Sequence, residues 1–525
     1  MVKAIKTADE MRGGIRSARF SSWLHVHLNL RRGSIIVGLV CTALAIFYAE
    51  ENWRGRRAWE NYRVKLISKG VVFDWHALMP PPVPDDAENF AMTPLVAALF
   101  DFAPGTYAPR DTRAYARASM FGHLGEPFRN SVDPVPDWAE GRRIDLAEAL
   151  QLVHKQKVRA VAETRPGSVE LPSDRKSEAF ALLNALEEMS PILAELRDAS
   201  ARPKSRFNLN YNEKEHWNLA EPHLDLLRRV SVILALRASA ELMVDKSEQA
   251  AEDLELILSL ANTIRDVPLG GSQWTRNLLL GHARHVIWEG LADHRWSDDQ
   301  LEGFQSQLKQ INLVNDAKAR LRLERATGDH LFELVREKPS IVKGWFGPGF
   351  MAWMRSFSIQ SRPSGWLADD RIYYHRLCEK VERGLDVQAG HIQPGLINHA
   401  GHGGALSFPI HALANVLIEG PTDILVDAAF AQTMINQTIL ACDLEHHQLR
   451  HHQLPERLDE LGGKPERDVI TGEPLKYRRL DESRFTLYSV GWNEVDDGGV
   501  IATNGAAKTA DPTHGDWVWP AYPRK

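Results

Sequence analysis

Three groups of side chains have the types and spacing to bind a metal. The first is the acidic loop Asn493-Glu494-Val495-Asp496-Asp497-Gly498-Gly499. Calcium takes roughly six to eight oxygens, and carboxylates with carbonyls on a glycine-permitted turn supply them. Asn493, Asp496 and Asp497 are the side-chain candidates, with carbonyls and water completing the shell. The competing reading is a solvated turn whose Asp and Asn side chains accept from local N–H groups. The second group is His446, His447, His451 and His452. On a helix His447 and His451 are four apart and share a face, as zinc ligands do. No HExxH is present and Pro455 follows closely, so the preferred reading is a helix end whose negative dipole pole favours histidine. The third is His399 and His402 in the loop NHAGHGGALSFP. They could bind zinc with His391 or His411, but no fourth-ligand pattern accompanies them, and a loop without metal is preferred.

Signatures of other chemistry are missing. The chain has no Walker loop, no GxGxxG after a strand, no GxSxG elbow and no CxxC pair. Ser173-Asp174-Arg175-Lys176 matches SxxK in form but lacks partner motifs. The cysteines are Cys41, Cys378 and Cys442, too few for a disulfide scaffold. A Cys378–Cys442 bridge is open in an oxidising compartment, with free buried thiols preferred. Trp53, Trp59, Trp75, Trp217, Trp274, Trp288, Trp296 and Trp366 are read as helix-packing residues rather than a ligand box.

The elements that would position these groups begin with an anchor. From Gly33 to Ala49 no residue is charged, with Arg31 and Arg32 before and Glu50 and Glu51 after. Such a helix rises roughly 25 Å and spans a bilayer when flanking side chains snorkel. Trp53 suits the interface. Val40 before Cys41 argues against lipidation. A cleavage site at Ala43-Leu44-Ala45 is conceivable, but the apolar run continues through Tyr48, favouring a retained anchor. Gly38, where a prepilin signal would carry Glu, excludes that signal. Residues 1–57 hold ten Lys/Arg and four acids, so the remainder carries −12 of the overall −6. An acidic bulk disfavours nucleic acid, and the basic end suits an anionic membrane surface. The positive-inside rule puts the N-terminus in the cytoplasm and the bulk in the periplasm of a bacterial inner membrane, although Arg54–Arg57 weakens the asymmetry.

Beyond the anchor, residues 50–70 read as its helical continuation. The stretch 79–86, MPPPVPDD, is an extended connector, because proline lacks the N–H and constrains its predecessor. Residues 87–140 read as irregular structure wrapped on the body, since Phe90, Leu95, Leu99, Phe100 and Phe102 offer too much apolar surface for a linker. Helical periodicity marks 213–244, 247–265 with Ser247 as cap, 272–294, a capping box at Ser297 and Gln300, 315–338, 365–385 and 425–450. After Leu461, glycine-punctuated runs such as LKYRRL and RFTLYSV indicate a small β-ribbon. The expected fold is mainly α: an irregular helical-hairpin body, solenoid- or TPR-like, with one N-terminal transmembrane helix and a small C-terminal α+β subdomain. The corresponding boundaries are a basic tail at 1–32, an anchor at 33–49, a juxtamembrane segment at 50–140, a helical body at 141–424 and the terminal subdomain at 425–525.

ENWRGRRAWENY followed by PPPVPDDAENFAMTPLVAALFDF resembles a family of uncharacterised, membrane-anchored exported bacterial proteins. That resemblance carries no known activity. Residues about 430–500 resemble the C-terminal half of type II secretion major pseudopilins, with Asp468, Gly472, Pro474, Tyr477, Ser489, Gly491, Asp496 and Asp497 matching in type and order. Val469 replaces a proline, and Asn493 stands where Asp is usual. The resemblance implies a shared subdomain with a calcium loop, not a pilin. The leading functional expectation is a non-enzymatic envelope scaffold with a protein partner. The alternatives are a membrane-tethered metal-dependent hydrolase and an accessory of a secretion or pilus system.

Overall fold

The computed structural model describes residues 2–103, 106, 108–119, 141–160, 172, 174–213, 218–342, 350–398, 411–503 and 510–522. The chain is mainly helical, with a few small antiparallel sheets, most of them C-terminal. The longer helices are α1 (Val2–Ser68), α2 (Leu146–Ala160), α3 (Arg175–Leu186), α4 (Ser190–Ser200), α5 (Pro222–Met243) and α6 (Ser247–Thr263). They continue as α7 (Gly270–Ala292), α8 (Asp298–Leu308), α9 (Leu313–Glu337), α10 (Phe350–Ser361), α11 (Ser364–Arg383) and α12 (Glu419–His451). Two compact units emerge. One comprises Met1–Gly70, Leu331–Tyr374 and Gly404–Val416; the other comprises Val71–His330, His375–Gly403 and Leu417–Lys525.

In the first unit, α1 is exposed at every residue from Arg32 to Glu50, including Ile35, Val37, Leu39, Leu44 and Ile46. Burial starts abruptly at Glu51 and recurs at Gly55, Trp59 and Leu66. Those positions fall near one face of a helix with 3.6 residues per turn. That face receives the start of α11. Asn52 Oδ1 accepts from Gly365 N at 3.0 Å and Ser364 Oγ at 2.9 Å, so α1 caps the helix beside it. Glu51 accepts from Trp366 Nε1 at 2.9 Å, and Tyr48 donates its hydroxyl proton to the Ser361 carbonyl at 2.6 Å. Both glycines at the crossing, Gly55 and Gly365, are demanded by its closeness, since a β-carbon on either would overlap the other helix's backbone.

The second unit is built on α5, α6 and α7, joined by short turns and packed on one another. Leu227, Val230, Leu234, Leu254, Ile257, Leu258, Leu279 and Ile287 are buried along their contacts. Burial extends around most of α5, so it is a central core helix and not an amphipathic surface one. The expected capping box opens α8, with Ser297 and Gln300 bonding reciprocally. Ser247 does not cap α6: it is the first helical residue, and the cap position is Lys246, without a side-chain bond. Phe90, Leu95 and Leu99 are buried in turns and short helices against this core, while residues 104, 105, 107 and 120–140 of the same expected segment lie outside the described residues. Cys378 and Cys442 are buried and free, so no bridge joins them.

Two helical stretches are long and apolar enough to cross a membrane, Arg32–Ser68 and Ala412–His451. The second is 78% buried and is therefore a core element. It contains α12, which packs on α7 and α8 and carries the terminal sheet. In that sheet β1 (Lys476–Arg479) pairs antiparallel with β2 (Phe485–Ser489), placing Tyr477 opposite Leu487. A smaller pair joins β3 (Ile501–Thr503) to β4 (Ala510–Gly515), and β5 (Trp517–Val518) completes the first sheet beside β2. Buried amides on α12 hold the terminal subdomain: Gln437 donates to the Trp517 carbonyl of β5 at 2.6 Å, and Asn436 to the carbonyl of Arg467, ahead of β1, at 2.8 Å.

Candidate functional site

The acidic loop follows β2. Asp496 accepts from Gly498 N and from the Tyr488 hydroxyl, each at 3.0 Å, and lies 3.7 Å from Lys476 Nζ. The Gly498 N–H and the Tyr488 hydroxyl hold its carboxyl below the ordinary range. Asn493 Oδ1 accepts from Val495 N at 3.1 Å, and its amide lies 3.5 Å from Asp497. Sequence reasoning missed the organising residue, Asp516. It is buried and accepts from Asp497 N at 3.2 Å, Gly499 N at 2.6 Å and Val500 N at 3.4 Å. Gly498 and Gly499 take positive φ, which turns their N–H groups inward. These bonds are those of a self-folded turn.

Near the end of α12, His447 and His451 lie side by side with ring centroids 4.4 Å apart, and His447 Nδ1 bonds the Gln453 carbonyl at 2.9 Å. His446 is turned away to Asp298 at 2.7 Å, and His452 closes the helix in a left-handed conformation. His391 bonds the Ile470 carbonyl, and His411 stacks on Tyr373. His399 and His402 lie outside the described residues. Among the described residues no three His, Cys, Asp or Glu side chains are grouped to hold a metal.

Two buried polar clusters have catalytic-looking composition. His375 bonds Asp329 at 2.8 Å through Nε2, while Arg325 Nε donates to Nδ1 at 2.9 Å. The Arg325 bond requires Nδ1 to be unprotonated, so Nε2–H donates to Asp329 and neither ring nitrogen is left to act as a base. Arg325 also donates to both Glu382 oxygens at 3.1 Å. In the second cluster, Arg237 lies between Asp253 at 3.1 Å and Glu241 at 3.6 Å, and Arg197 reaches Asp253 at 3.1 Å. Burial and the neighbouring Asp253 push Glu241 up to about 8, and burial pushes Asp253 up to about 6. Neither carboxylate lines the cavities described below. Both clusters are therefore read as structural ionic networks.

The first unit contains a cleft of about 530 Å³ lined by parts of α1, α9 and α11. α1 contributes Arg56, Trp59, Glu60 and Arg63, whose steps of three and four residues lie near one face. Arg336 and Glu333 come from the end of α9, and Arg371 from α11. Arg371 is buried, sits 4.0 Å from the Trp59 ring centroid and bonds Glu333 at 3.1 Å. Arg63 lies 3.9 Å from Glu60, the weak contact of an exposed pair. Arg56 and Arg336 form no hydrogen bond or ion pair among the described residues. The lining thus carries four guanidiniums against two carboxylates. The spacing of Arg56, Trp59 and Arg63 is legible in the sequence; the arrival of Arg336 and Arg371 is not. A smaller cavity of about 80 Å³ in the second unit is lined by Trp274, Arg320 and Asp427, with Asp427 pushed up to about 6 by burial and by Asp423.

Compared with known proteins, the chain matches no family model, no curated protein and no solved structure.

Proposed function

We propose that this chain is a non-enzymatic, single-pass protein of the bacterial inner membrane, whose helical body is a protein-binding or structural scaffold. One observation carries the reading. The run Gly33–Ala49 is exposed along its whole length, whereas the same helix is packed from Glu51 onward. Roughly 25 Å of bare apolar helix rooted in a folded unit is costly in water and stable in a bilayer. The basic N-terminal tail supports a cytoplasmic N-terminus and a periplasmic body. The hairpins of α5–α7 supply packed helical layers of the kind that solenoid- and TPR-like proteins use for binding. The test is extraction and topology. The chain should resist alkaline carbonate, and protease added to spheroplasts should digest residues beyond 70. Release by carbonate would remove the anchor. A chain that crosslinks to nothing in cells would remove the scaffold.

A role as accessory of a secretion system has one specific support. α12 leads past Pro455 into the Asp468 turn, where Asp468 accepts from Ser489 Oγ at 2.9 Å, and then into β1–β2. This is the element order of the pseudopilin resemblance. Unimpaired secretion after deletion of the gene would eliminate this reading.

A further inference from the structure

We infer that the arginine cleft of the first unit holds the phosphate headgroup of an anionic phospholipid, an inference that rests on the anchored reading above. The chemistry comes first. Arg56 and Arg336 have no partner among the described residues, yet both line one cleft with Arg63 and Arg371. Guanidinium groups present planar forks that match phosphate oxygens, and their charge is only partly answered by Glu60 and Glu333. The face of Trp59 is already covered by Arg371, so the cleft offers charge rather than an open ring for a flat ligand.

Position supplies the second argument. A hydrocarbon layer about 30 Å thick takes roughly 20 helical residues. The uncharged run Gly33–Ala49, shorter than that by about one turn, ends before Glu50. Arg56 lies seven residues past Ala49, about 10 Å along the axis, within reach of the headgroups for a long side chain that snorkels back. The headgroup layer is roughly 5–8 Å deep on each side. Helical Cα–Cβ bonds tilt toward the N-terminus, so the α1 side chains of the cleft lean back toward the bilayer. Exposed Trp53, four residues past Ala49 and about 6 Å along the axis, falls within the headgroup layer, suited to the interface. The Tyr48–Ser361 bond ties the end of α10, with its exposed Met354 and Phe357, to the last turn of the apolar run. The same unit therefore offers exposed apolar side chains on a helix joined to the end of the apolar run.

The full-length chain, purified in dodecyl maltoside, is tested by native mass spectrometry in micelles doped with phosphatidylglycerol or phosphatidylcholine. The wild-type protein should retain one phosphatidylglycerol in about tenfold preference. R56Q/R336Q should reduce that preference to about twofold or less, since two charge-assisted contacts are lost. R57Q removes the same charge from the next α1 residue, one that does not line the cleft, and should leave the preference intact. Equal loss in R57Q, or an unchanged preference in R56Q/R336Q, would overturn the inference. So would displacement of the lipid by millimolar inorganic phosphate or by an oligoglutamate peptide, which would assign the cleft to a free anion or an acidic chain. Carbonate extraction keeps the two readings apart. A carbonate-resistant chain without lipid preference fails the headgroup alone, and a released chain that keeps the Arg56/Arg336-dependent preference fails the anchor alone.

Discussion

Gly365 lies so close to the Glu51 main chain that a β-carbon at position 365 would overlap the Glu51 carbonyl oxygen. The partner glycine, Gly55, meets the Gly365 backbone in the same way. Backbone, not a movable side chain, occupies the space on each side. Gly365→Ala must therefore push α11 off α1 and loosen the Asn52 cap. The expected loss is about 1–3 kcal/mol, read as a lower melting temperature of the full-length chain in detergent. A melting temperature equal to wild type would mean that the two helices do not meet at these glycines.

The Glu241–Asp253 network predicts a pH dependence. Burial and Asp253 raise Glu241 to about 8, with Arg237 opposing. In the unfolded chain the group titrates near its ordinary 4.5. Between those values the folded protein binds more protons at this group, so its contribution to stability is fully present below pH 4.5 and is lost as pH rises through about 8. Asp253, raised to about 6, acts in the same direction. Melting of the wild type should drop by several degrees from pH 5 to pH 8 on this account, and Glu241→Gln should flatten the drop. A parallel pH profile in the variant would dispose of the assignment.

Asp516 predicts which residue governs the acidic loop. Asp516→Ala leaves the N–H groups of Asp497, Gly499 and Val500 without their acceptor. A loss of about 2–3 kcal/mol is expected, with faster amide exchange at 497–500. Asp516→Asn keeps one acceptor oxygen and should lose less. Retained amide protection in the alanine variant would contradict this role.

Calcium at the same loop makes a separate prediction. If Asn493, Asp496 and Asp497 hold the ion, calcium at 100 times its Kd adds about 2.7 kcal/mol to stability. That gain should vanish in D496N/D497N. An unchanged melting temperature in calcium would leave the loop as the turn that its hydrogen bonds describe.

The sequence by itself determined the local elements. The charge-free run Gly33–Ala49, the periodic leucines of α5 and α6, the Ser297–Gln300 capping box and the alternating β1–β2 runs each encode structure through neighbours a few residues away. The fate of Ser247 was less legible, because a cap depends on where the helix begins, and α6 begins one residue earlier than a Ser247 cap requires. What tertiary structure decided is the company each side chain keeps. Arg56, Trp59 and Arg63 announce a helix face, but Arg336 and Arg371 reach it from about 270 to 310 positions away, brought by the folding of the first unit. Asp516 reads as one carboxylate among many until β4 and β5 set it beneath the loop. Periodicity is a short-range property of the chain, whereas a cleft and a buried acceptor are made by contacts between distant segments, and spacing within one sequence does not specify those contacts.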